Sequence, residues 1–198
     1  NKYSNQLNEN DSENFKDNLK IINNQIKQIE KLVNEFSDFA RMPKPTLREN
    51  NLVDLINENI KLLKQLDSSI EISFSKNAEI ILLESDKEQI SRVFLNLIKN
   101  SIESINQKAQ NIRNFNKKIA IELIQNDGHI KATIVDNGIG FSKLKKNIKD
   151  ILNPYFTTKK NGTGLGLSIV NKIVNDHNGK IEFIPIENGA KIKIIFIK

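Results

Sequence analysis

Asn96, Asn100 and Glu103 stand four and three residues apart in a stretch that reads as helix, so they share one face of it. Asn is a poor helix former, because its amide competes for backbone hydrogen bonds, and two of them on one face need a reason. One reading is a solvated polar face. The other is oxygen ligation of a hard cation, since Mg2+ takes a few protein oxygens and completes its shell with phosphates and water. Further on, Asp136-Asn137-Gly138-Ile139-Gly140 follows a strand pattern. Its glycines let backbone approach a ligand closely, although the five residues alone also read as an ordinary tight turn. Gly162-Thr163-Gly164-Leu165-Gly166 then opens a helical pattern that runs from Leu167 to Val174. A glycine-rich turn at a helix N-terminus is a ready phosphate site, because free N–H groups and the dipole both favour an anion. Between these motifs, residues 141–162 carry Lys143, Lys145, Lys146, Lys149, Lys159 and Lys160 against Asp150 alone, a net +5 of the chain's +6. A solvated basic loop is the plain reading. A positive field that draws in a polyphosphate is the sharper one. No nucleic-acid partner is expected, because the interleaved aromatics of a single-strand binder are sparse here.

Other glycine motifs fail on context. A dinucleotide fingerprint needs a strand directly before its glycines, and here a Pro- and Lys-containing loop precedes them. The G-x-x-x-x-G-K-[ST] phosphate loop is absent, as are the H-R-D and D-F-G signatures of eukaryotic-type kinases.

The elements that must position these residues follow from periodicity. The chain has 198 residues, 38% hydrophobic and 27% charged, enough for a packed core in one or two domains. It has no apolar run of about 18 residues and no signal-peptide pattern. Residue 1 is Asn and the only Met is Met42, so a fragment excised from a longer chain is expected. Cysteine is absent, which excludes disulfide and thiol chemistry and fits a reducing compartment.

Phe15, Leu19, Ile22, Ile26, Ile29, Val33, Phe36 and Ala40 alternate at spacings of four and three, a heptad seam that predicts a bundle helix. Ser12 is its expected N-cap, and the helix should end near Arg41, ahead of Pro43 and Pro45. Such a helix cannot bury its seam alone and needs a partner helix. A second amphipathic helix is predicted from about Arg48 to Leu66, then short strands at Ile70–Phe74 and Glu79–Leu83. Ser85 or Asp86 should cap the helix that carries Asn96, with Glu88 at capping-box distance from Ser85. Asn126-Asp127-Gly128 predicts a hairpin between strands at Ile119–Leu123 and Ile130–Ile134. A short helical pattern lies near Leu144–Leu152, and Lys180–Ile184 with Ala190–Ile197 reads as an antiparallel pair. Gly179 is the expected C-cap of the last helix. His129 beside a turn and His177 at a helix end take no chemical role.

Taken together and in this order, Asn96-Leu97-Ile98-Lys99-Asn100, Asp136 to Gly140, Pro154-Tyr155-Phe156-Thr157-Thr158-Lys159 and Gly162 to Leu167 resemble the N, G1, F and G2 boxes of sensor histidine kinases. The resemblance covers roughly residues 46–198. Glu35 to Pro45 is similar to the end of the second dimerisation helix of NtrY-like members. The resemblance implies a Bergerat-type (GHKL) α/β fold: a mixed sheet of five or six strands with three main helices on one face, preceded by the long dimerisation helix of residues 1–45. It implies ATP and Mg2+ as cofactors. Asn100 would be the metal ligand, with Asn96 close to metal and phosphates and Lys99 facing the phosphate chain. Asp136 would accept from the adenine amino group, with Gly138 and Gly140 beside it. The aromatics of the F box would pack a lid in one of its states. Lys159 and the loop Gly162, Thr163, Gly164, Leu165 and Gly166 would serve the phosphates. Ser101 departs from the family, which usually has Ala there.

The resemblance further implies a homodimer through the dimerisation helices, a response regulator receiver domain as partner, and the cytoplasmic part of a sensor whose membrane segments lie upstream. The phosphoacceptor His of the family belongs to the first dimerisation helix, and no His occurs before His129, so this chain is expected to bind ATP without phosphorylating itself. Two alternatives stand beside this reading. One is another GHKL ATPase, which would lack the heptad helix. The other is a non-catalytic dimerisation module that has kept a nucleotide pocket.

Overall fold

Apolar residues alternate along the central strands, and a period of two turns them all to one face. The computed structural model describes residues 9–141, 148–159 and 162–197. The elements run α1 (Glu9–Ala40), β1 (Arg48–Asn51), α2 (Leu52–Leu66), β2 (Glu71–Lys76), β3 (Leu82–Ser85) and α3 (Lys87–Ala109). They continue with β4 (Lys118–Asn126), β5 (His129–Asp136), a 3₁₀ turn at Ile148–Leu152, α4 (Gly166–Asp176), β6 (Gly179–Ile186) and β7 (Gly189–Ile197). Five strands form one mixed sheet in the order β2-β4-β5-β7-β6, with β2 parallel to β4 and the other pairs antiparallel. Ile119, Ile121 and Leu123 of β4, Ile130, Ala132 and Ile134 of β5, and Ile192, Ile194 and Phe196 of β7 are buried. They share one core with α2, α3 and α4. The opposite face carries charge, with Lys193 and Lys180 both paired to Glu182. The result is a two-layer α/β sandwich, and the expected fold class holds.

Helix α3 is the spine of that core. Ile90, Val93, Phe94, Leu97, Ile98, Ile102 and Ile105 are all buried, and the fully enclosed Phe94 and Leu97 each contribute about 2 to 3 kcal/mol. Asp86 caps it, accepting from the Gln89 amide at 3.1 Å, while Ser85 ends β3 instead. His177 ties the end of α4 to this cap. The Asp86 N–H donates to its Nε2 at 3.0 Å, so the ring proton sits on Nδ1 and is given to the Ile173 carbonyl at 2.8 Å.

Several boundaries differ from the sequence reading. Helix α2 starts at Leu52 rather than Arg48, because Arg48–Asn51 pairs with β3 and Asn51 caps α2 through Val53. Strand β3 starts at Leu82 rather than Glu79, since Ile81 instead pairs with Leu52 and Asn51. Helix α1 already runs at Glu9, so Ser12 lies inside it rather than capping it. After α4 it is Asn178, at φ 55°, that takes the left-handed conformation, not Gly179. Residues 144–147 of the predicted short helix lie outside the described residues, and Ile148–Leu152 forms the 3₁₀ turn.

One carboxylate links α2 to α3. Asp67 accepts from the Ser69 hydroxyl at 2.6 Å, the Ser69 amide at 3.0 Å and the Asn106 amide group at 3.0 Å. The Ser69 and Asn106 hydrogen bonds, aided by Lys117, lower its pKa from the usual 3.8 to about 2. A depressed folded-state pKa contributes stability that is present above the unfolded value and is lost as pH falls through the folded one. Asp67→Asn is therefore expected to cost about 1 to 2 kcal/mol at neutral pH and close to nothing near pH 2. Urea midpoints at the two pH values check this, and an equal loss at both would refute it.

Candidate functional site

The G1 segment follows directly from β5, so the sheet delivers Asp136 to the C-terminal half of α3. Asp136 is 4% exposed. Its Oδ1 accepts from the Gly138 amide at 2.9 Å and its Oδ2 from the Ser101 hydroxyl at 3.0 Å. Burial raises its pKa above the usual carboxylate value, and the Gly138 amide, Ser101, the Ala190 amide and the Lys108 charge oppose that rise. Each carboxylate oxygen offers two lone pairs, so Asp136 keeps acceptor capacity beyond these bonds. Gly140 has φ +67°, and a Cβ there would sit 2.1 Å from the Gly189 carbonyl oxygen. The chain therefore turns sharply against the start of β7, a path that only glycine fits.

Helix α3 serves this segment with one side and a second group with another. Ser101, Ser104 and Lys108 follow at three and four residues, so they line one stripe. Ser104 accepts from the Ile139 amide at 3.0 Å, and Lys108 donates to the Asn137 carbonyl at 2.9 Å. On the other stripe, Asn100 Oδ1 accepts from the Lys159 ammonium at 2.8 Å, and Glu103 pairs with the same ammonium. Asn96 Oδ1 lies 3.5 Å from where a Cβ on Gly166 would stand, so it borders the glycine loop. Lys99 is exposed and, among the described residues, makes no hydrogen bond or ion pair.

The glycine loop itself is held from three directions. Gly164 has φ +72°, and a Cβ there would lie 2.4 Å from the Tyr155 carbonyl carbon, so the F-box backbone closes directly over it. Gly162 donates to the Lys159 carbonyl at 3.2 Å. The Thr163 hydroxyl donates to Glu35 of α1. Leu165 is fully buried, so its side chain anchors the loop and leaves backbone to face a ligand. No side chain caps α4, and its first intrahelical bond runs from Ile169 to Leu165. The amides of Gly166, Leu167 and Ser168 therefore have no intrahelical acceptor, the condition for binding an anion. The lysines at 143, 145, 146 and 160 lie outside the described residues.

The structure thus brings Asn96, Asn100, Lys159 and residues 162–166 together along the middle of α3, with Asp136, Gly138 and Gly140 at its neighbouring stripe. Lys99 stays apart. The donor set fits a magnesium ion: a cationic ammonium already sits on the Asn100 oxygen and the Glu103 carboxylate. Among the described residues no group of three or more His, Cys, Asp or Glu is placed to hold a metal, so the shell would need oxygens from a bound phosphate and water. Ser104 and Lys108 were not singled out in the sequence, and Glu35 only as the start of the dimerisation-helix segment. The first two were findable from the spacing of Ser101, Ser104 and Lys108, which lines them up along one stripe of the helix. Glu35 had no such signal, because it meets Thr163 across 128 residues.

Residues 85–198 match the family of histidine kinase-, DNA gyrase B- and HSP90-like ATPases. The chain belongs to this family. An NtrY-like sensor histidine kinase of Rickettsia bellii (strain RML369-C) is 32% identical over 178 residues, which are 90% of this chain and 28% of that protein. The chain therefore spans under a third of that relative's length. The nucleotide-free catalytic domain of histidine kinase ThkA is 32% identical with a TM-score of 0.66, over 77% of this chain and 95% of that one. ThkA in complex with the response regulator TrrA is 28% identical with a TM-score of 0.74, over 93% of this chain and 51% of that one.

Proposed function

We propose that this chain is the ATP-binding catalytic portion of an NtrY-like two-component sensor histidine kinase, with residues 46–198 as the catalytic domain and residues 1–45 as the second helix of the dimerisation domain. The observation that carries this reading is the double use of α3. One stripe holds the buried acceptor Asp136, and the next presents Asn100 beside the uncapped start of α4. A nucleotide laid along the helix meets a base site first and a phosphate and metal site second.

In this reading Asp136 accepts from the adenine amino group, with Gly138 and Gly140 shaping the turn around the base. Asn100 supplies the magnesium oxygen, and Asn96 orders the metal and phosphates. When bound, Mg2+ neutralises phosphate charge during transfer. The backbone of Gly162, Thr163, Gly164, Leu165 and Gly166 cradles the phosphates. Lys159 and Lys99 serve as point charges. An imidazole nitrogen of a His in another segment attacks the γ-phosphorus, ADP leaves, and an Asp of a response regulator receiver domain later takes the phosphoryl group.

Neither histidine here suits the acceptor role. Both nitrogens of His177 are engaged in the core. His129 opens β5 while Asp136 ends it, and the strand's 8 residues set them about 23 Å apart. On α1, Phe15, Leu19, Ile22, Ile26, Ile29, Val33 and Phe36 are 43 to 60% exposed, a seam that a paired helix in a homodimer would cover. No helix among the described residues is long and apolar enough to cross a membrane. We assign the chain to the cytoplasmic side of a sensor anchored through upstream segments.

Incubation with γ-labelled ATP and Mg2+ tests the proposal. The chain alone should take no label. Added phosphoacceptor helices of an NtrY-like kinase should gain an acid-labile, base-stable phosphoryl group. Label on the chain alone would overturn the acceptor assignment, and no transfer in either setting would overturn the kinase reading.

A further inference from the structure

Ser101 sits 2% exposed on the apolar face of α3. A buried serine in a helix commonly turns its hydroxyl back to the carbonyl four residues before it. Here the hydroxyl leaves its own helix and goes to Asp136 Oδ2 at 3.0 Å. The other carboxylate oxygen is held at 2.9 Å by the Gly138 amide, a backbone donor that no substitution at a neighbouring side chain removes. Ser101 is the side-chain donor to Asp136 among the described residues, and so the adjustable part of that arrangement. Helix register then matters. Asn100, one residue earlier, faces Lys159, so consecutive residues of α3 address the two halves of the site.

We propose that Ser101 is a specificity-determining residue: by donating to Asp136 Oδ2 it fixes the carboxylate as a pure acceptor and so selects a purine with an amino group at C6 over one with an oxygen there. The proposal rests on the adenine-nucleotide reading above.

The chemistry is a matter of which partner carries the proton. A 6-amino purine presents N–H donors, which an ionised carboxylate satisfies. A 6-oxo purine presents an acceptor, which that carboxylate repels, while a protonated acid would satisfy it. Asp136 lies where protonation is easy, since burial favours its neutral form. The donors aimed at it, the Ser101 hydroxyl and the Gly138 and Ala190 amides, oppose that, because each bonds the ionised group more strongly than the neutral one. From the surrounding elements, the Ala190 amide and the Lys108 charge act on the same side as Ser101. In register, β4 sets Ile119 and β7 sets Ala190 opposite Asp136, and the nearby charge is the Lys108 ammonium of α3. Removing the Ser101 hydroxyl leaves Oδ2 without its donor and open to a proton that can face the base.

Calorimetry with AMPPNP and its inosine counterpart, in Mg2+ at about pH 5.5 and about pH 8, tests this on the 198-residue chain. In the parent the preference for the 6-amino analogue should be strong and equal at both pH values. In Ser101→Ala, AMPPNP affinity should fall about threefold to tenfold, and the preference should fall about tenfold further at the acidic pH than at the basic one. Ser101→Thr keeps the donor and should restore the flat profile. If the Ala variant does not fold, Ser101→Cys, near in size and a weak donor, takes its place. An unchanged preference and pH profile in the Ala or Cys variant, with the preference lost in Asp136→Asn, would overturn the role of Ser101 alone. An unchanged preference in Asp136→Asn as well would overturn the base-site reading and this inference with it.

Discussion

Asp136→Asn is expected to weaken binding of an ATP analogue by tenfold or more while leaving the fold intact. The loss has two sources. The substituted amide must keep its oxygen toward the Gly138 N–H or surrender that bond, and its NH2 then faces donors on the base and on Ser101. The charge that strengthens the acceptor is gone as well, and a charge-assisted hydrogen bond in a buried site carries about 1.5 to 3 kcal/mol. A tenfold loss corresponds to about 1.4 kcal/mol, so tenfold is the lower bound. Stability should move the other way. The folded-state pKa of Asp136 is raised by burial, so its contribution to folding is present below the unfolded value and is lost as pH rises through the folded one. At neutral pH the ionised group opposes folding, and Asn, near in shape and uncharged, should melt at the same temperature or higher. Calorimetric titration beside a melting curve checks both halves. Lost binding together with a lowered melting temperature would mean that Asp136 builds the fold instead of serving a ligand.

Much of this arrangement is legible in the amino-acid sequence. The heptad of α1, the alternation in β4 and β5 and the turn at Asp127-Gly128 all gave elements of the right type, because each depends on local periodicity or on one permissive residue. The misses are tertiary. Arg48–Asn51 reads as the first turn of α2, yet pairing with Leu82–Ser85 makes it a strand, and a partner 31 to 37 positions away leaves no local trace. Asn178 takes the left-handed position that Gly179 was expected to fill. Gly179 is needed for packing instead, since a Cβ there would stand 2.9 Å from both Phe196 and Val174. At the site, spacing placed Asn96, Asn100 and Glu103 together but could not show that Lys159 closes onto two of them from the next loop. Ser101 read as a harmless small residue, because nothing in the helix pattern reveals a hydrogen bond to a strand end 35 residues later.

Asn100→Ala is expected to remove the magnesium-dependent part of nucleotide binding and leave the rest. Asn100 is half-buried on α3, and its side-chain oxygen accepts a cation in the chain as it stands, the ammonium of Lys159. An ammonium and a hydrated metal compete for the same lone pairs, so metal entry requires Lys159 to move off that oxygen. On the proposed reading the ammonium and the metal share this oxygen at the phosphate end, whereas the base end rests on Asp136 and the Ser101–Lys108 stripe, which Asn100 does not touch. In the parent, affinity for an ATP analogue should rise by about tenfold or more when Mg2+ replaces a chelator. In Asn100→Ala that ratio should fall to about twofold or less, with affinity in chelator nearly unchanged. Glu103 remains in the variant, so a retained ratio would move the metal to Glu103 and the phosphates alone. Affinity lost equally with and without Mg2+ would show instead that Asn100 holds the helix in place. The alanine fits the exposed side of α3 and has the higher helix propensity, which favours the first outcome being read on a folded chain.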